Sequence, residues 1–271
     1  MGGAITVYRW ELRKLVSQKR TYLGLGAAML VPLLFTIALA LQKGQPNDVA
    51  LGRYVRESGL AIPLVLLLFG SIWLFPLITA LVAGDIIASE HHNGTLKTIL
   101  TRSLDRGQIF AGKVLTAFTY AVAALLVMGA TAVIAGTIKS GFNPLVTLSG
   151  TKVSALKALA LVGASFAVYL LPLFAIACFG LFLSALTRNS AAAVVGTLMF
   201  ALLMQLIGIL PGLGGLQPYL LTTQFQAWQG FLRVPADWAP VVRAAWLSAA
   251  YAIPPLLAAY LIFLRGDVAG E

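Results

Sequence analysis

GDIIASEHHNGTLKTILTRSLDRGQIFAGK, residues 84 to 113, gathers Asp85, Glu90, His91, His92, Lys97, Arg102, Asp105, Arg106 and Lys113 between two long apolar runs, 60–83 and 114–137. Each run is long enough, at about 20 residues, to cross roughly 30 Å of hydrocarbon as a helix. The polar stretch therefore divides two membrane spans. Beyond it the same pattern repeats, with apolar runs at 22–42, 158–186, 191–210 and 244–264. The sequence predicts six spans and an all-α polytopic membrane protein.

Composition agrees. Of 271 residues 59% are hydrophobic and only 10% charged, where soluble domains carry about a quarter charged residues. The mean hydropathy is +0.90. The runs are continuously apolar, without the in/out alternation of a barrel strand, and a helix satisfies its own backbone in lipid. Eleven of the 19 basic residues fall in the shorter segments that include the N-terminus and 84–113, so the positive-inside bias places both termini in the cytoplasm. The basic residues thus mark topology rather than a nucleic-acid surface. No short apolar stretch with a small-residue cleavage site precedes the first span, and no cleaved signal is expected. The single cysteine, Cys178, lies in an apolar run and reads as a small buried hydrophobe.

Residues 1–21 precede the first span. Ile5, Tyr8, Leu12, Leu15 and Val16 recur at helical spacing, with Arg9 and Arg13 on other faces and Trp10 at headgroup level. This predicts an interfacial helix along the inner leaflet. Within the polar stretch, Asn93-Gly94 breaks the helical run, Thr95 is a candidate N-cap, and Leu96, Ile99 and Leu100 form one apolar stripe. Asp105 and Gln108 have the spacing of a capping box at the start of the third span. Residues 211–243, which include PGLGGLQPYLLTTQFQAWQGFLRVPADWAP, hold four prolines but few charges, and predict short outer interfacial helices with Trp228 and Trp238 at the boundary.

Chemistry is sparse. GQIFAGKV, residues 107 to 114, has the glycines and lysine of a phosphate loop but Val114 where a hydroxyl is needed, and no strand precedes it. Glu90-His91-His92 cannot converge on a metal ion from neighbouring helical positions, and there is no third histidine. No nucleophile, base and orienting group come together in the sequence. The reading is therefore non-catalytic, with no metal site. No carboxylate lies in the middle of a span, which argues against an ion-driven carrier. Gln205 is the costliest polar residue within a span. It faces a substrate path, a partner subunit or another helix.

YRWELRKLVSQKRTY (8–22) and ASEHHNGTLKTILTRSLDRGQIFAGKVL (88–115) resemble the ABC-2 permeases, the membrane subunits of type-2 ABC exporters of bacteria. Glu90, Gly94, Thr95, Leu96, Leu100, Arg106, Ile109 and Lys113 carry the match, while TRSLDR replaces the family's common Pro-[Val/Leu]-Ser-Arg break. The resemblance implies an N-terminal elbow helix and, within 84–113, a cytoplasmic coupling helix that docks on an ATP-binding subunit. Its contact residues would be Glu90, Gly94, Thr95, Leu96, Lys97, Ile99, Leu100, Arg102 and Arg106. It also implies a pair of permeases, as a homodimer or heterodimer, in the bacterial inner membrane. Two ATPase subunits would hold the ATP and Mg, and this chain would bind no cofactor. Ile207, Leu210, Leu216, Tyr219 and Leu220 would lie near the outer mouth, as a gate or as packing of an interfacial hairpin. The absence of charge from the spans suits a lipid-like, peptide or drug-like cargo moving outward. The alternatives from other classes are a membrane scaffold that recruits a cytoplasmic partner and, further off, a membrane enzyme.

Overall fold

The computed structural model describes residues 2–41, 51–92, 105–210 and 214–265. The regular structure among these residues is all-helical apart from one short hairpin. Helix α1 (Gly2–Val16) leads into α2 (Lys19–Leu41), followed by α3 (Ala61–Gly70), α4 (Leu74–Ala83), the short α5 (Ala88–His92), α6 (Arg106–Ser140), α7 (Ala155–Thr187), α8 (Ser190–Ile209), the short α9 (Leu221–Gln224) and α10 (Ala239–Arg265). Five of these, α2, α6, α7, α8 and α10, are long and apolar enough to cross a membrane, and the bent α3–α4 pair counts as a sixth.

That pair corrects the expected straight span over 60–83. The chain bends by 62° between α3 and the segment starting at Leu74. Pro76 supplies the reason: it has no N–H to donate to Ile72, and its ring would strike that carbonyl in a continuous helix. Breaking at 71–73 moves Pro76 into the first turn of α4, where an N–H would go unpaired in any case. Pro32, Pro172 and the Pro254–Pro255 pair lie inside helices that continue through them.

Helix α7 is the hub. It packs on α4, α6, α8 and α10, and 61% of its apolar stretch is buried, against 22% or less in α2, α8 and α10. Tyr169 at its middle is fully buried between Phe75 and Phe225, with edge-on ring distances of 5.4 and 4.8 Å. Such aromatic pairs fix a contact more sharply than aliphatic burial does.

One end of the bundle is closed by an interlocked cap. Strands β1 (Leu145–Val146) and β2 (Lys152–Val153) pair antiparallel, Leu145 opposite Val153, an element the sequence reading did not anticipate. Ser58 Oγ donates to the Asn143 carbonyl, Ser140 Oγ to that of Val55, and Gly59 N to that of Gly141. Gly59 and Gly136 meet backbone to backbone with no room for a Cβ on either. The 3-10 turns Gln217–Tyr219 and Ala227–Leu232 flank α9 and drive Leu221, Phe225, Trp228 and Leu232 into the core. Trp228 is thus fully buried, not at a membrane boundary as its flanking prolines and glycines led us to expect. Trp238 is 61% exposed and meets Phe231 edge-on at 5.1 Å.

Candidate coupling junction

The opposite end is held by charge. Lys113, about two turns into α6, is fully buried. Its Nζ donates to Glu11 Oε1 at 2.7 Å and to the Ile86 carbonyl at 3.2 Å, and lies 2.7 Å from Glu90 Oε2. The other oxygen of Glu90 accepts from Lys14 Nζ at 2.8 Å. Two ammonium groups and two carboxylates therefore form a neutral quartet joining α1, α5 and α6. Burying Glu11, Glu90 or Lys113 alone would cost several kcal/mol, so these three are stable there only together, while the Lys14 side chain keeps some contact with solvent. Beside the quartet, Arg20 at the start of α2 pairs with Asp85. The space left among Glu11, Lys14, Arg20 and Ser89 is only about 10 Å³, too small for any ligand larger than a water.

The backbone of 84–90 is equally constrained. Ser184 Oγ on α7 accepts from Ile87 N and Ala88 N at 3.2 and 2.9 Å, satisfying donors that the turn before α5 leaves unpaired. Gly84 passes so close to Val194 of α8 that a Cβ would sit 2.9 Å from its amide. The far side of the polar stretch is pinned too: Arg106 Nη1 donates to the Leu264 carbonyl at 2.6 Å, tying the start of α6 to the end of α10. An arginine on a helix C-terminal carbonyl is favourably placed in the field of that helix.

Two of the expected coupling residues are thus placed, with different roles. Glu90 is 1% exposed and spent on Lys14 and Lys113, so its charge braces the chain internally and does not face outward. Arg106 is half-buried against α10. Gly94, Thr95, Leu96, Lys97, Ile99, Leu100 and Arg102, with the short helix and apolar stripe expected of them, lie outside the described residues.

Helix α1 lies along α6, but on a different face from the one anticipated. Val7, Glu11 and Leu15 form the buried row, while Ile5 and Val16 are over half exposed. The row is i, i+4, i+8, with a carboxylate at its centre because Lys113 receives it. Gly112 has no room for a Cβ against Val7, and Tyr8 Oη meets Thr119 Oγ1 at 2.8 Å. Asp105 does cap α6, but through its carbonyl, which accepts from Gln108 N and Ile109 N; the side-chain bond of the capping box is not made.

The residues expected at the outer mouth form a looser group. Gln217 Nε2 donates to the Gly208 carbonyl at 2.9 Å and Thr222 Oγ1 to that of Met204 at 3.2 Å, so the segment after α8 folds back and satisfies its last carbonyls. Leu220 is buried in this fold, Ile207 is half-buried, and Leu210, Leu216 and Tyr219 are largely exposed. Gln205 is half-buried, and its amide makes no hydrogen bond among the described residues.

Sequence reasoning gave Glu11, Lys14, Arg20, Asp85 and Ser184 no part in the site, and treated Lys113 only as part of a motif. One signal was available: a lysine entering an apolar span needs a carboxylate, and the sequence has only nine.

A polytopic helical membrane protein whose longest polar stretch is rooted in a buried ion cluster has the layout of a transporter's membrane component. The family model described as ABC-2 family transporter protein matches residues 8–184, about two thirds of the chain, and the chain belongs to that family. The match runs from Tyr8, within α1, to Ser184 and so takes in the whole quartet. No curated protein matches the chain. Membership makes it a multi-pass membrane permease component of an ABC transporter, a kind of chain that works with an ABC ATP-binding subunit.

Proposed function

We propose that this permease component exports a hydrophobic or amphipathic compound, lipid-like, peptide or drug-like, using ATP and Mg held by a separate ATPase subunit. In this reading both termini are cytoplasmic in a bacterial inner membrane, and the assembly holds two permeases and two ATPase subunits. Helix α1 is the elbow helix and 84–113 the coupling segment. Leu96, Ile99 and Leu100 bury against the ATPase, with Gly94 and Thr95 opening the helix and Lys97 and Arg102 setting register.

The observation that carries the reading is how the two roots of this segment are held. Displacement of the segment reaches α1 and α6 through Glu90 and Lys113, α2 through Asp85 and Arg20, α7 through Ser184, and α10 through Arg106. A push at one point thus moves the ends of several spans together, which an ATP-driven stroke requires. A passive tether would need no such bracing. At the other end Gln205, without a hydrogen-bond partner among the described residues, suits a substrate path or a second copy, with Ile207, Leu210, Leu216, Tyr219 and Leu220 around it as the outer gate.

The test is co-purification with ATP hydrolysis. An ATPase subunit that accompanies the wild-type chain and is lost from the Leu96→Asp, Ile99→Asp double variant is the expected result. Absence of any ATPase from intact complexes would replace the reading with the scaffold. A Lys113→Met variant that keeps its ATPase but loses transport would place the quartet in transmission rather than docking.

A further inference from the structure

At the end away from the quartet, the turn Gln217–Tyr219, helix α9, the turn Ala227–Leu232 and the start of α10 border an open pocket of about 160 Å³. Thr223, Gln224, Gln226, Gln229, Arg233 and Arg243 supply its polar lining, with the Gln224 amide nitrogen already donated to the Pro218 and Leu220 carbonyls. No carboxylate lines it among the described residues. Two arginines bordering one small pocket concentrate positive charge there, and because both are solvent-exposed an oxyanion can reach them.

The acid nearest in sequence does little to relieve this. Asp237 Oδ2 lies 3.6 Å from Arg233 Nη1 with both side chains exposed, a loose pair, and its other oxygen accepts from Ala239 N at 3.1 Å. Arg243 has no ion pair among the described residues.

The walls are rigid before any ligand arrives. The Gly230 carbonyl accepts from both Arg233 N and Asp237 N, at 3.3 and 3.0 Å. Gly230 lies against the Asp237 carbonyl with no room for a Cβ. The hairpin after α6 buttresses the same loop: Leu148 N donates to the Leu232 carbonyl and Val234 N to Ser149 Oγ, both at 2.9 Å. A site whose backbone is already ordered loses little entropy on binding.

We infer that this cavity binds a single phosphate group. Its volume is below the range of drug-sized pockets, about 300 to 1,000 Å³, and suits one oxyanion. Guanidinium forks match phosphate oxygens in pairs, and the Gln226 and Gln229 amides add neutral donors. The group belongs either to a phospholipid head at this face or to free inorganic phosphate.

The full-length chain, purified in mild detergent, would be titrated with sodium phosphate at constant ionic strength by calorimetry. In parallel it would be reconstituted in phosphatidylcholine discs with and without phosphatidylglycerol, and its retained lipid weighed by mass spectrometry. Arg233→Gln and Arg243→Gln are each expected to weaken binding about tenfold, the loss of one charge-assisted hydrogen bond, with unchanged melting temperature. Lys152→Gln, an exposed cation at the same end that does not line the cavity, is expected to change nothing. Saturable phosphate binding identifies the free anion, and selective retention of phosphatidylglycerol identifies the lipid head; both support the site. The inference is overturned if the wild-type chain shows neither, or if Lys152→Gln weakens binding as much as the arginine variants. No step involves an ATPase, so this result is independent of the coupling reading.

Discussion

At the quartet end of the bundle, helices far apart in sequence meet on ammonium and carboxylate groups with almost no space between them. At the cap end, a hairpin and three short helical pieces meet on backbone hydrogen bonds and on one buried tryptophan. The two ends face different demands. A cap must close over the bundle, and close packing around Trp228 does that. A junction that transmits displacement must keep its parts in one arrangement, and buried ion pairs resist partial separation because every stretched pair exposes an uncompensated charge. Apolar contacts slide at far lower cost. On the proposed coupling role, the difference places the buried charges where motion would be delivered.

The largest effect that tests this contrast is Lys113→Met. It leaves Glu11 and Glu90 facing each other in a dry site and should cost about 5 kcal/mol. The measurement is thermal inactivation of the detergent-solubilised chain. Adding Glu11→Gln and Glu90→Gln should return most of that loss, since the penalty is stranded charge rather than missing shape. Failure of the triple variant to recover would mean that the quartet is not the organising feature of its end.

Next comes Trp228→Ala, expected to cost about 4 kcal/mol through the cavity it opens beneath the cap. Its melting temperature should fall, but an associated ATPase should remain bound, because the cap and the quartet share no side chain. Loss of the ATPase in this variant would break the separation of the two ends.

Ser184→Ala is smaller, about 2 kcal/mol, because it strands the Ile87 and Ala88 amides in a buried turn. Hydrogen exchange should rise at those two amides and leave 140–153 unchanged. The least effect is expected of Asp237→Asn, at most about 0.5 kcal/mol in melting experiments, since its pair with Arg233 is exposed and long.

Much of the architecture was legible from hydropathy alone. The runs at 22–42, 114–137, 158–186, 191–210 and 244–264 fall on α2, α6, α7, α8 and α10, because burying a helix in lipid depends on the composition of a continuous stretch. The bend before Pro76 was less visible. Proline removes one hydrogen bond from any helix interior, yet α2, α7 and α10 absorb theirs and the α3–α4 segment does not. Nor was the buried face of α1 legible: an apolar-stripe reading puts Glu11 outside, and only a lysine supplied by another helix turns it inward.

By itself the sequence determined that this protein lives in a bilayer, where most of its helices run, and which stretch interrupts them. Each follows from the free energy of transferring neighbouring residues between water and lipid, a local property. Only the tertiary structure decided that Glu90 is a brace rather than a contact, that Lys113 has two carboxylates, and that Trp228 is core. Those outcomes depend on partners tens of residues away, and a charge or a ring has no assigned environment until the chain brings its partners to it.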